Sequence, residues 1–283
     1  MTASRPLAPV RTADGRELAL AETGDPAGVV AFYLHGTGSS RVEVEHYATA
    51  AAAHGVRLVC WDRPGAGGST RQPGRRLTSV ADDARTVART LGVDTVPVVG
   101  HSGGGSHVLA LAATAADLVS RAVAINPGPP AVDRVLAELD TTARRVITLA
   151  RDHPRAYRVL SRVLQAKGPI GDRLRRRSLD PTDLEVMGRE PARAIFEAAA
   201  VEGSRQPGSY TEEALIIWHW PWGFSLDAFP IPVHVFAGMA DPFLAFSRGL
   251  ARAGVVGHEF PGGHVSGFVP DVMAEVMAVV RDR

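Results

Sequence analysis

The sequence predicts an α/β protein with a mostly parallel central sheet flanked by helices. Three observations predict it. Short apolar, β-branched runs alternate with amphipathic stretches, first between Val29 and Ile125 and again from Pro232 onward. One run, beginning at Val96, stops at Gly100-His101-Ser102-Gly103-Gly104 and gives way to an Ala/Leu-rich helical stretch, Ser106–Ala116. From about Ala131 to Ala200 strand signals vanish, and the pattern turns helical and arginine-rich.

Each element has a local cause. Val10–Glu22 holds two extended pieces around Asp14-Gly15, a pair that tolerates the positive φ of a tight hairpin turn. Val29–Leu34 is a continuous apolar run leading into His35-Gly36-Thr37-Gly38-Ser39-Ser40. A helix follows through His46–Ala53, a strand through Val56–Trp61, and a long Gly/Pro turn from Asp62 to Ser69. Thr78–Leu91 puts Val80, Ala84, Val87 and Leu91 on one helix face. Thr78 or Ser79 stands where a cap is needed, and Asp82 and Asp83 suit the positive end of the helix dipole. Ala122–Ile125 is a strand ended by Asn126-Pro127-Gly128.

Beyond the helical stretch, Arg205–Ser209 reads as a loop and Ile216–Phe224 is dense in aromatics. A strand at Pro232–Ala237, a helix at Phe243–Ala253, a short strand at Gly257–Phe260 and a helix at Asp271–Arg281 complete the chain. Strands joined through helices imply right-handed crossovers and parallel pairing. Residues 1–130 and 228–283 then form the core, and residues 131–227 a helical lid spliced between two of its strands.

Composition narrows the function. At 283 residues the chain sits near the upper size of a single hydrophobic core. A net charge of +1 offers no electrostatic footprint for nucleic acid. The single cysteine, Cys60, rules out an intramolecular disulfide and suits a reducing, cytoplasmic setting. It lies in an apolar strand, where a buried, inert thiol is the expected state. The first residues lack the apolar segment of a secretion signal, and no stretch reaches the length of a membrane span.

Strand, G-x-S-x-G and helix, in that order, form the setting in which a serine sits exposed on a strained elbow at the top of a sheet. A β-carbon at Gly100 or Gly104 would clash where strand and helix approach. Ser102 is therefore the candidate nucleophile. A serine hydroxyl needs a base to take its proton, and an imidazole base needs a carboxylate on its other nitrogen.

Here the chain resembles the α/β-hydrolase fold family with an inserted helical cap. The resemblance runs from Leu34-His35-Gly36 through Asp62-Arg63-Pro64-Gly65 and the elbow to the C-terminal segments. It implies an acid at Asp241, in Gly238-Met239-Ala240-Asp241-Pro242, and a base at His264, in Pro261-Gly262-Gly263-His264. It further implies oxyanion donors at the backbone N–H groups of Gly103 and Thr37, and a structural role for Asp62 in tying down the Gly/Pro turn. Asn126 holds a position where some relatives keep the acid. His258 lies within a strand, Asp227 lies before one, and Asp241 also suits a helix N-cap, so these uses compete with the catalytic ones. His101 is expected to pack beside the sheet.

Ester, lactone or similar acyl hydrolysis follows, with C–C bond hydrolysis, perhydrolysis or cyclisation as other uses of the same triad, and a non-catalytic ligand-binding scaffold as the contrasting reading. None of this chemistry needs a metal or cofactor. A serine at the elbow disfavours epoxide hydrolysis and dehalogenation, which need an aspartate there. The substrate is expected to be a small apolar molecule. Candidates for its pocket are His35, Trp218 and Trp220, although His35 also suits a brace for its own loop. Trp222 and Phe224, in a turn shared with relatives, are expected to pack. The run Arg173-Leu174-Arg175-Arg176-Arg177 reads as a solvated helix face.

Overall fold

The computed structural model describes residues 4–165, 179–252 and 254–282. An eight-stranded sheet runs through the molecule in the order β1-β2-β4-β3-β5-β6-β7-β8. β1 (Arg5–Arg11) and β2 (Glu17–Gly24) form the antiparallel hairpin, and β2 joins β4 (Val56–Trp61) antiparallel. All remaining neighbours are parallel: β4 with β3 (Val29–Leu34), β3 with β5 (Val96–His101), then β6 (Val119–Ile125), β7 (Val233–Gly238) and β8 (Val256–Phe260).

The central strands read as unbroken apolar runs because helices cover both faces. Phe32 and Leu34 point into one core cluster with Ala84 of α2 (Val80–Leu91), Val108 of α3 (Gly103–Thr114) and Phe246. Their neighbours Ala31 and Tyr33 point the other way, toward Ala51 of α1 (Ala48–Ala53) and Val276. Between β6 and β7 lie α4 (Asp133–Leu136), α5 (Thr141–Asp152), α6 (Pro154–Gln165), α7 (Pro181–Gly188), α8 (Ala192–Gly203) and α9 (Ser209–Trp218). The chain ends with α10 (Leu244–Arg252), β8 and α11 (Pro270–Arg281).

One local expectation changes. Ser79 does not cap α2; its hydroxyl accepts from the Arg76 N–H at 3.0 Å and closes the short 3₁₀ turn Leu77–Ser79 instead. The loop expected at Arg205–Ser209 is present, with α9 starting at its last residue; α9 itself is a helix that its sequence does not announce. The reason is burial on two sides. Ile216 and Ile217 join the main core while Ala214 and Leu215 pack with Ala150 and Tyr157, so this helix shows no single apolar stripe.

Candidate active site

The carboxyl ends of β3, β5, β7 and β8 bring the candidate residues to one edge of the sheet, where parallel α/β sheets place their ligands. Ser102 separates β5 from α3 with φ 55° and ψ −122°, a backbone region that a non-glycine residue enters only under strain. A β-carbon on Gly104 would stand 1.9 Å from the Leu34 carbonyl oxygen, and one on Gly100 would stand 2.7 Å from the Gly104 carbonyl oxygen. Only glycine lets strand and helix meet this closely.

The His264 imidazole bridges Ser102 and Asp241. Nε2 lies 2.8 Å from Ser102 Oγ, and Nδ1 lies 2.6 Å from Asp241 Oδ2. The arrangement suits the tautomer in which Nδ1–H donates to the carboxylate and Nε2 accepts from the serine hydroxyl. Asp241 is buried, and its second oxygen accepts from the Phe243 N–H at 2.5 Å, so it also performs the helix-capping role. Burial opposes charging His264, yet the charge and hydrogen bond of Asp241, with Asp183 and Glu43 beyond, raise its pKa above 6.5. The Phe243 ring stands edge-on to the imidazole, with centroids 5.6 Å apart and planes at 90°.

The competitors fall elsewhere. His258 stacks on Phe236 with planes 3° apart and pairs with His234 at 3.1 Å. Asp227 is exposed and bonded to Ser225. Asp62 accepts from the N–H groups of Arg41 at 2.6 Å and Gly68 at 2.8 Å and pairs with the Arg41 guanidinium, which fastens the Gly/Pro turn.

Three neighbours of the triad carry roles no local motif announces. Asn126, at φ 45°, donates through Nδ2 to the His264 carbonyl at 2.7 Å and accepts at Oδ1 from the Gly238 N–H at 2.8 Å. The amide thus joins the loops that carry Asp241 and His264. His101 does not merely pack: its Nε2 lies 2.8 Å from the same carbonyl, and burial lowers its pKa to about 3, so a neutral ring donates. Asp183, from α7, accepts from the His264 N–H at 2.7 Å. The one available signal was Asn126 at a strand end, beside the site.

The loop after β3 is braced from below. His35 is fully buried, which corrects its assignment to the pocket. Its Nδ1 donates to the Gly36 carbonyl at 2.9 Å and its Nε2 accepts from the Arg63 N–H at 3.2 Å, a pairing that fixes a neutral ring. Burial first, and the Arg63 charge second, hold its pKa well below 6.5. Glu43 accepts from the Gly36 N–H at 2.9 Å and the Tyr33 hydroxyl at 2.7 Å, while burial pushes its carboxyl up. The Thr37 hydroxyl faces Gly103, where a β-carbon would stand 2.1 Å from Oγ1. Among the described residues the backbone N–H groups of Thr37 and Gly103 have no hydrogen-bond acceptor.

α9 lies along this loop. A β-carbon on Gly38 would meet Tyr210 at 2.7 Å, and one on Gly103 would meet Ile217 at 3.1 Å. Trp218 is half-buried against Leu136, Leu139 and Ile147, in a cluster that Phe243 also borders. Trp220 is 40% exposed, with the Arg76 guanidinium 3.7 Å above its ring. Trp222 is buried with its indole N–H on the Ile217 carbonyl at 2.9 Å and packs beside Phe224, as expected of that turn. The Arg173–Arg177 run lies outside the described residues. Among the described residues no three His, Cys, Asp or Glu side chains converge as metal ligands, and no helix is long and apolar enough to cross a membrane.

Comparison with known proteins adds a sequence match and a fold match. The family model for the alpha/beta hydrolase fold matches residues 32–186. The bifunctional esterase/perhydrolase DCH of Acinetobacter calcoaceticus is 32% identical over 139 residues, 48% of this chain and 50% of that protein. The chain thus spans about half the length of this curated relative. A hydrolase from Pseudomonas aeruginosa PA01 superposes with a TM-score of 0.70 at 20% identity, covering 97% of each chain. The enol-lactonase of Burkholderia xenovorans LB400 gives 0.65 at 18% identity over 96% of this chain and 98% of its own. Carboxylesterase CesB of Bacillus subtilis gives 0.65 at 18% identity over 99% and 92%. At such identities these structures speak for the fold.

Proposed function

The chain belongs to the α/β hydrolase fold family, and on that premise we propose that it is a serine hydrolase cleaving an ester, lactone or similar small acyl compound. The observation that carries this reading is the unbroken hydrogen-bonded line from Ser102 Oγ through His264 to Asp241, at 2.8 and 2.6 Å.

In the proposed reaction Ser102 Oγ attacks the acyl carbonyl while His264 Nε2 takes its proton. Asp241 holds the ring through Nδ1–H and stabilises the imidazolium. The backbone N–H groups of Gly103 and Thr37 receive the developing oxyanion, a type of contact worth about 10²–10³ in rate per donor. His264 then protonates the leaving oxygen, and an acyl-enzyme remains on Ser102. Water, deprotonated by the same imidazole, attacks that ester, and the acid leaves as Ser102 regains its proton. The strained serine torsions keep Oγ clear of the sheet throughout.

Residues 131–227 act as a helical cap over a core of residues 1–130 and 228–283. Ile217, Trp218 and Phe243 give the acyl or alcohol group an apolar wall. The Acinetobacter relative, itself called an esterase/perhydrolase, supports ester chemistry and favours one second reading. In that reading hydrogen peroxide takes the place of water in the second half-reaction and a peracid leaves.

A panel of p-nitrophenyl esters and lactones, run with and without hydrogen peroxide, tests both readings. Hydrolysis lost in Ser102→Ala supports the first, and peracid formation in the peroxide arm supports the second. Full turnover by Ser102→Ala would overturn both.

A further inference from the structure

The loop that carries His264 is not held by the sheet alone. Four successive N–H groups, from Gly263 to Ser266, point to one side, toward the N-terminal turn of α7. The Asp183 carboxylate accepts from the His264 N–H at 2.7 Å through Oδ2. Its Oδ1 accepts from the N–H groups of Val265 at 3.0 Å and Ser266 at 3.1 Å, and from the Ser266 hydroxyl at 3.0 Å. The Gly263 N–H goes to the hydroxyls of Ser266 at 3.1 Å and Thr182 at 3.2 Å. Consecutive N–H groups converging in this way make a nest for an anion, and they open the 3₁₀ turn Ser266–Phe268.

Asp183 is 1% exposed. Its direction is set locally: Asp180 caps α7 by accepting from the Thr182 N–H at 2.9 Å, and Pro181 starts the helix. The fit is close on the loop side as well. A β-carbon on Gly263 would stand 2.4 Å from Asp183 Oδ2. A carboxylate with this little access to water persists only where donors replace its hydration. The opposite face of the same peptide is held too, since the His264 carbonyl accepts from His101 and Asn126.

We propose that Asp183 is a positioning residue: it fixes the backbone of the loop bearing His264, so that the inserted helices complete the geometry of a site whose reacting groups all belong to the core. This rests on the triad reading given above. It goes beyond a cap that merely covers substrate, because α7 could not lift away without stripping the base loop of its anchor. Asp183 touches neither Ser102 nor the imidazole ring through a hydrogen bond, so its effect travels through the His264 peptide.

The test compares wild type, Asp183→Asn and Ser102→Ala on one chromogenic ester. Asp183→Asn keeps the shape but turns one acceptor oxygen into an NH₂ facing N–H donors. We expect kcat per folded molecule to fall about 10²-fold, the cost of an ångström-scale misplacement, with KM unchanged. The acid limb of kcat/KM should also move to lower pH, because one of the carboxylates facing His264 is gone. The others, Asp241 and Glu43, remain, as does the neutral His101 ring. A merely structural role would lower thermal stability and leave kcat per folded molecule and the acid limb in place; that result overturns the proposal. Should the variant not fold, amide exchange in wild type decides. Protection at His264, Val265 and Ser266 supports the anchor, and free exchange there overturns it. An active Ser102→Ala would sink the triad reading itself, whereas an inactive Ser102→Ala beside an unchanged Asp183→Asn would sink only this inference.

Discussion

Arg63 and Glu213 face each other at 2.9 Å with almost no access to water, one from the turn after β4 and the other from α9. The Arg63 guanidinium also donates to the His35 carbonyl at 2.5 Å, so the loop bearing Thr37 leans on a charge that the inserted helices neutralise. Arg75 pairs with the same carboxylate. Burial works against ionising Glu213, but the Arg63 and Arg75 charges hold its pKa well below 4.5. Its contribution to stability is therefore present above pH 4.5 and is lost only as the pH falls toward that lowered value.

Glu213→Ala would leave two guanidiniums buried without their partner. The expected cost is about 3–5 kcal/mol, read as a lower urea midpoint with an unchanged slope. Activity should fall as well, since the loop after β3 loses its support. A variant as stable as wild type would remove this pair from the account.

Gly104→Ala should fail for a different reason. Its β-carbon would stand 1.9 Å from the Leu34 oxygen and 2.6 Å from the Leu34 carbonyl carbon, and backbone cannot step aside as a side chain can. Overpacking of this kind costs about 1–3 kcal/mol or more. Moving α3 to relieve it would also displace the Gly103 N–H. Thermal unfolding and ester turnover should both drop; wild-type values for both would show that the elbow has room to spare.

The pH profile follows from His264. Its pKa is raised in the folded chain, so the imidazole is protonated over a wider range than a free histidine would be, and under the proposed mechanism it cannot then take the Ser102 proton. kcat/KM should decline on the acid side through an apparent pKa above 6.5. Asp241→Asn removes the main charge that raises it, and should shift that limb downward while cutting kcat. A limb at or below 6.5 in the wild-type enzyme would contradict the assignment.

Much of the fold was legible in the sequence. β3 and β4 match the apolar runs Val29–Leu34 and Val56–Trp61, and the Asp14-Gly15 hairpin joins β1 to β2. Such elements announce themselves because burial on two faces demands continuous apolar residues. The Ser102 elbow is legible for a similar reason: strand, glycines and helix must be contiguous to make it. What stayed hidden acts across distance. Asp183 is 81 residues from His264 and meets backbone N–H groups, so neither partner carries a residue type that marks the contact. Glu43 beneath Gly36 and Asn126 between two loops are hidden in the same way.

Covalent labelling reads out whether His264 activates the Ser102 hydroxyl as a nucleophile. The intact enzyme should react with a fluorophosphonate, and peptide mass spectrometry should find one adduct, on Ser102. Ser102→Ala should take no label, and His264→Ala should label far more slowly. Undiminished labelling of Ser102→Ala, or an adduct on another residue with Ser102 unmodified, would contradict that activation.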